Sequence, residues 1–349
     1  MKLLIFVTGR GIGGDAVTAY NISKSLEEKG YTTKIVLDSK APGYYFKKRN
    51  IEWCKTPIPA AGGHASSKLS LFKAALKSLK AVWSGSRLIK KEKADGVVGV
   101  IGGGVVIGCL SAKLARVPAV GVVVTPTDSR VSFKINPTVI LPECSYFIND
   151  NYSSKYPVVR QYSPIKLDII HGDKERIMDK LPEKYNPNKK SVLFSSGSTL
   201  FDDMAKAARK YAEENNDTNV FVIGDPLKEE LNPIIDHPNI INLGYINYID
   251  DLYDLIDLAI ITDDGLTLHE TIACQIPVVV VIGVKYGRYH GLAKVFEGAV
   301  LESNVDNISE KVNEALKNYD SMKEATLKYS DDIINTPDSL SSFIQENLS

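Results

Sequence analysis

Short apolar runs rich in β-branched residues alternate with helix-length segments from one end of this chain to the other, and no other feature limits its fold as much. In the first half Leu3–Val7, Thr33–Leu37, Gly96–Ile101, Ala119–Val124 and Tyr146–Ile148 read as strands. Asp15–Lys29 carries Val17, Tyr20, Ile22 and Leu26 at helical spacing and stops at Gly30, so it reads as the helix between the first two. The second half repeats the scheme without repeating the sequence, with strands at Ser191–Ser195, Asn219–Ile223, Ala259–Thr262 and Pro277–Ile282 and helices at Phe201–Asn215 and Leu266–Cys274. Strands that alternate with helices are joined by crossovers, so they run parallel and need helices on both faces. The expectation is α/β: two Rossmann-like domains, residues 1–163 and 164–349, meeting near Gln161-Tyr162-Ser163-Pro164. The last helix, about Leu340–Leu348, has no neighbour assigned by sequence, and a return to the first domain stays open. Two such domains facing each other leave a cleft at the carboxyl ends of their strands.

Composition narrows the function. Lys+Arg and Asp+Glu are both 42 in 349 residues, and a formal charge of zero argues against a general nucleic-acid binder. Cys54, Cys109, Cys144 and Cys274 are too scattered for a zinc site or a disulfide framework. Val97–Leu110 is apolar but shorter than the roughly 20 residues a membrane span needs. The expected location is cytoplasmic, with peripheral attachment open through residues 68–91. There Lys68, Lys73, Lys77, Lys80, Arg87, Lys90 and Lys91 accompany Leu69, Phe72, Leu76, Leu79 and Trp83 at helical spacing. Such a helix lies on an anionic membrane face, or it turns its apolar stripe to the core and its lysines to water.

Four segments carry the chemistry. Gly9-Arg10-Gly11-Ile12-Gly13-Gly14 joins the first strand to the first helix; Gly11, Gly13 and Gly14 admit a ligand close to backbone N–H groups, or simply make a tight turn. Asp15 follows, as a helix N-cap or as a carboxylate base aimed at the cleft. Gly102, Gly103 and Gly104 repeat the pattern at a second strand end, for a close-approaching acceptor or phosphate, or for close helix–strand packing. Ser195-Ser196-Gly197-Ser198-Thr199 reads as an anion cradle of amides and hydroxyls at a helix start, with N-capping as the alternative. The most informative segment is Thr262-Asp263-Asp264-Gly265-Leu266-Thr267-Leu268-His269-Glu270. A strand ends, a helix begins at once with amides suited to a diphosphate, and Glu270 one to two turns in can accept both hydroxyls of a ribose. A solvated Glu is the plain alternative, and His269 reads as surface or core.

With these segments in view, the chain resembles the MurG-like glycosyltransferases over about residues 1–300. The most specific stretch is Tyr248-Ile249-Asp250-Asp251-Leu252 together with Thr262–Pro277. The resemblance implies the GT-B fold and transfer of N-acetylglucosamine from a UDP-sugar to a lipid-linked or cell-wall precursor acceptor. It implies that Tyr248 and Ile249 touch uracil, Glu270 holds ribose, and Leu266 and Thr267 lie beside the phosphates. It places Lys166, in Pro164-Ile165-Lys166, near the diphosphate, and makes Ser196, Gly197 and Ser198 part of the donor loop. The sequence departs from the family's pattern in three places. Asp15 stands where the family has a His, Tyr289-His290 where it has a pair of glutamines that read the sugar, and Val124-Thr125-Pro126-Thr127 where it has an acceptor-domain motif. A pseudomurein-type acceptor is consistent with that divergence.

The mechanism expected is inverting, with Asp15 as base and no cofactor or metal required, because amides and Lys166 supply the positive potential. Closure of the two domains would bring base and donor together and exclude water. A UDP-sugar 2-epimerase and a non-catalytic scaffold subunit are the other classes this architecture serves.

Overall fold

The computed structural model describes residues 1–8, 11–59, 68–141, 147, 152–263, 265–285, 287 and 289–348, with 68–75 described by backbone alone. These residues fall into two compact units, one of residues 1–164 with 335–348, the other of residues 165–334.

In the first unit β1 (Lys2–Val7), α1 (Gly14–Glu28), β2 (Thr32–Asp38), α2 (Tyr44–Lys47), β3 (Trp53–Thr56), α3 (Lys68–Glu92), β4 (Gly96–Val100), α4 (Gly102–Ala115), β5 (Ala119–Val123), α5 (Pro126–Ile135), β6 (Thr138–Ile140) and β7 (Val158–Arg160) follow in turn. The seven strands form one parallel sheet in the order β3-β2-β1-β4-β5-β6-β7. In the second unit come α6 (Lys174–Met178), β8 (Lys190–Leu200), α7 (Asp202–Glu214), β9 (Thr218–Pro226), α8 (Asn232–Ile235), β10 (Ile240–Gly244), α9 (Ile249–Tyr253), β11 (Leu258–Thr262), α10 (Leu266–Ala273), β12 (Val278–Val281), α11 (Leu292–Val295), β13 (Val300–Ser303), α12 (Ile308–Lys317) and α13 (Tyr319–Leu348). Its six strands, also parallel, are ordered β10-β9-β8-β11-β12-β13.

The apolar runs sit where their composition demands. β12 is four valines, all fully buried, and a strand covered on both faces has no polar side to show. On one face of the second sheet Met204, Ala208 and Tyr211 of α7 and Ile308, Val312 and Ala315 of α12 close the core over Val192, Phe194, Val220 and Ile260. Each large apolar side chain among them contributes about 1.5–3 kcal/mol by leaving water. Short or mixed strands escape the sequence: β3, β6, β7, β10 and β13 have three to five residues each and no long apolar run. The strand read at Tyr146–Ile148 lies outside the described residues except for Phe147, which is buried.

Three boundaries differ from expectation. Ile101 is the N-cap of α4, not the end of a strand. The serine-rich segment is not a loop before a helix, because β8 continues through it to Leu200. The terminal helix starts at Tyr319 instead of near Leu340, and continues through Pro337. Its last part belongs to the first unit: Leu340, Phe343, Ile344 and Leu348 are buried with Leu3, Ile5 and Leu26. Ser25 donates to Ser341, and Lys29 pairs with Asp338 at 2.7 Å.

Candidate functional site

Each sheet has one place where successive strands stop adding on one side and begin on the other. In the second unit β8 leads to β9 and β10 on one flank, and the chain then returns to lay β11, β12 and β13 on the other. The loops after β8 and β11 therefore diverge, and in open parallel sheets ligands bind in the crevice this leaves.

On the β8 side the strand bulges. Ser195 pairs with Ile223 and Thr199 with Asp225, so residues 196–198 face a single residue of β9. Gly197 turns the chain with φ +91°, a conformation that costs other residues strain. The serine hydroxyls hold the bulge from within. Ser195 Oγ accepts from the Gly197 amide at 3.0 Å, and Ser196 Oγ donates to the Thr199 carbonyl at 2.9 Å and accepts from the Phe201 amide at 3.0 Å. Ser196, expected at the phosphates, is thus buried and occupied, while Gly197 and Ser198 are presented outward. The expected helix start is not an anion site either: Phe201 caps α7, and Asp202 and Asp203 already fill its first turn.

On the β11 side the strand ends at Thr262, and Asp263 turns inward. Its buried carboxylate accepts from the amides of His290, Gly291 and Leu292 at 2.7, 3.0 and 3.1 Å. Asp263 thereby moors the β12–α11 connection to the end of β11, a role nothing in its neighbourhood of sequence announces. Gly265 then caps α10 with φ +86°, no side chain among the described residues caps the helix, and a Cβ added at Gly265 would meet none of them within 4 Å. The amides of Leu266 and Thr267 belong to a first turn that an α-helix cannot satisfy from within.

Glu270 stands one turn into α10, half-buried. Burial pushes its carboxyl up to about 7; the Tyr253 hydroxyl beside it draws it the other way, off the geometry of a full hydrogen bond. His269, about 100° round the helix from Glu270, is core: it meets Phe296 edge-on with centroids 5.3 Å apart, and burial lowers it to about 4. Tyr248 caps α9, and Lys180 lies over its ring at 3.9 Å, with Ile249 half-buried beside it. Asp251 is buried and ties α9 to the start of α6 through Arg176 at 2.7 Å and the Asp173 amide at 3.1 Å.

Three expected donor residues are engaged by other groups of the chain. Lys166 is exposed and paired with Asp168 at 2.5 Å. Tyr289 is exposed and donates to Glu302 at 3.0 Å, while His290 is held through its amide by Asp263.

In the first unit the switch falls between β1 and β4. Its two glycine loops turn out differently. A Cβ on Gly104 would stand 2.5 Å from the Phe6 carbonyl oxygen, and one on Gly103 2.9 Å from that of Pro59. The Gly102 amide donates to Asp128 and the Gly103 amide to Thr8. Gly104 packs α4 against β1 and Gly103 packs it against Pro59, and its first amides are already used. Gly11 is also a packing residue, 2.8 Å by its added Cβ from Leu37. Gly13 and Gly14 are exposed with open space around them. Gly13, not Asp15, is the N-cap of α1, and Asp15 lies half-buried in the first turn.

Comparison with known proteins agrees with this architecture. No protein-family model matches the chain. It is 25% identical over 279 residues to the UDP-N-acetylglucosamine–N-acetylmuramyl-(pentapeptide) pyrophosphoryl-undecaprenol N-acetylglucosamine transferase of Sulfurihydrogenibium sp. (strain YO3AOP1), covering 77% of this chain and 74% of that protein. Acinetobacter baumannii MurG superposes with a TM-score of 0.66 at 19% identity over 99% of both chains. A Listeria monocytogenes protein assigned as a UDP-N-acetylglucosamine 2-epimerase does so with a TM-score of 0.64 at 13% identity, over 99% of this chain and 96% of that one. The class that the fold defines is the GT-B architecture, which the similar transferases share. Within that class the chain is MurG-like.

Proposed function

We propose that this chain transfers a sugar, N-acetylglucosamine first among the candidates, from a UDP-sugar to a lipid-linked or cell-wall precursor of the cell envelope, pseudomurein-type precursors included. The observation that carries the donor half of this reading is the open start of α10 at the β8/β11 switch, with Glu270 one turn further along. The amides of Gly265, Leu266 and Thr267 take the diphosphate, Glu270 accepts from the ribose hydroxyls, and Tyr248 and Ile249 lie toward the base. Tyr289 and His290, the latter moored through its amide by Asp263, are assigned to the sugar side.

The transfer is a single displacement and inverts the anomeric carbon. Asp15 takes the proton of the acceptor hydroxyl, the acceptor oxygen bonds to the anomeric carbon, and the bond to the β-phosphate oxygen breaks with its electron pair leaving on UDP. Asp15 suits the task because it is a carboxylate in the first turn of α1, where negative charge is favoured, next to the exposed Gly13 and Gly14. Asp15→Asn is expected to lower turnover about a hundredfold or more while UDP binding stays within about twofold; near-normal turnover would rule out the base assignment.

The acceptor half finds support on α3. Gly85 packs so closely on α4 that an added Cβ would stand 2.3 Å from Ser111 Oγ, which turns the opposite face outward. Leu76, Leu79 and Trp83 are 49%, 66% and 54% exposed, so this part of the apolar stripe does not face the core. Arg87 lies over the Trp83 ring at 3.6 Å, and Lys77 and Lys80 are exposed alongside. An apolar ridge flanked by cations suits an anionic bilayer surface, where a lipid-linked acceptor resides. Among the described residues no helix is long and apolar enough to cross a membrane. Co-sedimentation with vesicles containing anionic lipid is expected to fall severalfold in Leu79→Glu/Trp83→Glu; equal binding would remove this support.

Incubation with labelled UDP-N-acetylglucosamine and a lipid extract tests the whole reading. Label in the lipid phase supports transfer, a released epimerised sugar supports the 2-epimerase, and neither product sinks both.

A further inference from the structure

The β12–α11 connection holds a basic residue outside the motifs quoted from the sequence. This strand-to-helix segment is anchored at both ends: the Ile282 amide donates to Ser303 at 2.9 Å, and Asp263 holds residues 290–292. Lys285, half-buried, brings its ammonium 3.9 Å from the point where a Cβ on Gly197 would stand, the one approach within 4 Å there from described residues beyond 196–198. The β8 bulge and Lys285 thus lie together at the end of β8, whose neighbour β11 leads into α10. The charge expected from Lys166 is drawn to Asp168, and the first turn of α7 carries two acids.

We infer that Lys285, seated over Gly197, is the cation that binds the β-phosphate of the donor's diphosphate. This inference rests on the donor site proposed above and adds a residue to it. The α10 amides hold the phosphate next to the ribose that Glu270 grips, which sends the second phosphate across the seam toward β8. A point charge on a flexible stem is suited to a phosphate oxygen there, and a left-handed glycine beneath it leaves the room.

The test measures UDP, UMP and uridine binding by calorimetry to the full chain and to Lys285→Met, Lys285→Arg and Lys166→Ala. Lys285→Met is expected to weaken UDP at least tenfold, the usual effect of removing a charged hydrogen-bond donor, while UMP stays within about twofold because it lacks the phosphate Lys285 reaches. Lys285→Arg should keep most of the UDP affinity, and Lys166→Ala should stay within about twofold for all three ligands. Unchanged melting temperatures show that the variants fold; if Lys285→Met does not, Lys285→Gln replaces it. UDP affinity undiminished in the Met or Gln variant overturns the assignment and leaves the donor site standing. An equal loss for UMP also overturns it. No UDP binding by the unsubstituted protein at millimolar concentration overturns both.

Discussion

Glu270 is the residue on which pH should act. Its carboxyl is raised from the ordinary carboxylate range to about 7, burial being the cause, so the folded protein holds a proton that the unfolded chain releases near pH 4.5. A raised carboxyl contributes stability that is complete below pH 4.5 and lost as pH climbs through about 7. The loss should be on the order of 2 kcal/mol, read as a melting temperature that falls over that window and is nearly flat in Glu270→Gln. Ribose hydroxyls need the ionised form as acceptor, so UDP binding should tighten with rising pH over the same range. At pH 6.5 it should release protons, seen as a binding heat that depends on the buffer's ionisation enthalpy; a buffer-independent heat would show that Glu270 does not bind the nucleotide. Asp263 has a different task, mooring three amides with one buried carboxylate. Asp263→Asn puts an amide donor against amide donors and is expected to cost about 2–3 kcal/mol in unfolding free energy. It should also weaken UDP, because the segment that carries Lys285 loses an anchor. The pattern of sequence around Glu270 makes its helix and its place on it legible. The role of Asp263 was not, because its partners lie 27–29 residues away and are backbone groups with no side-chain signature.

At the scale of elements, glycines that look alike in sequence do different work. Gly13 opens α1 into free space, whereas Gly104 lets α4 lie against β1. Gly104→Ala sets a methyl 2.5 Å from a backbone oxygen that cannot move aside, and is expected to cost about 3 kcal/mol or abolish folding. Gly13→Ala meets no atom and bears only the strain of its positive φ, about 1 kcal/mol. Urea unfolding of the two variants separates these cases, and equal costs would contradict the packing assigned to α4. The bulge in β8 shows the same limit. Ser195–Thr199 has the composition of a phosphate loop, yet three of its residues stand opposite one residue of β9 and its buried hydroxyls brace the turn. Whether a serine faces a ligand or its own backbone depends on pairing with a strand more than twenty residues on. For α3, helical spacing placed Leu76, Leu79 and Trp83 on one face, but which way that face points was decided by Gly85 seating the other face on Ser111.

At the scale of the molecule, α13 begins in one unit and ends in the other, and residues 335–348 complete the core of the first. A chain ending at residue 334 would expose the sites of Leu340, Phe343, Ile344 and Leu348, each worth about 1.5–3 kcal/mol of burial. It is expected to lose the cooperative unfolding of the first unit while the second keeps its own transition by calorimetry; two intact transitions would mean that the terminal segment is dispensable. The sequence by itself determined the architecture: apolar runs of strand length, broken by helical segments, can bury themselves only as parallel sheets between helices. It also determined the strand-to-helix turn at Gly265 and the position of Glu270, since both follow from neighbours within a few residues. Only the tertiary structure decided that Lys166 answers Asp168 while Lys285 reaches Gly197, that Gly102–Gly104 pack and do not cradle, and that the last helix returns to the first sheet. Those outcomes depend on which strands become neighbours, and neighbours distant in sequence are selected by the burial and pairing of whole elements, not by any local pattern of residues.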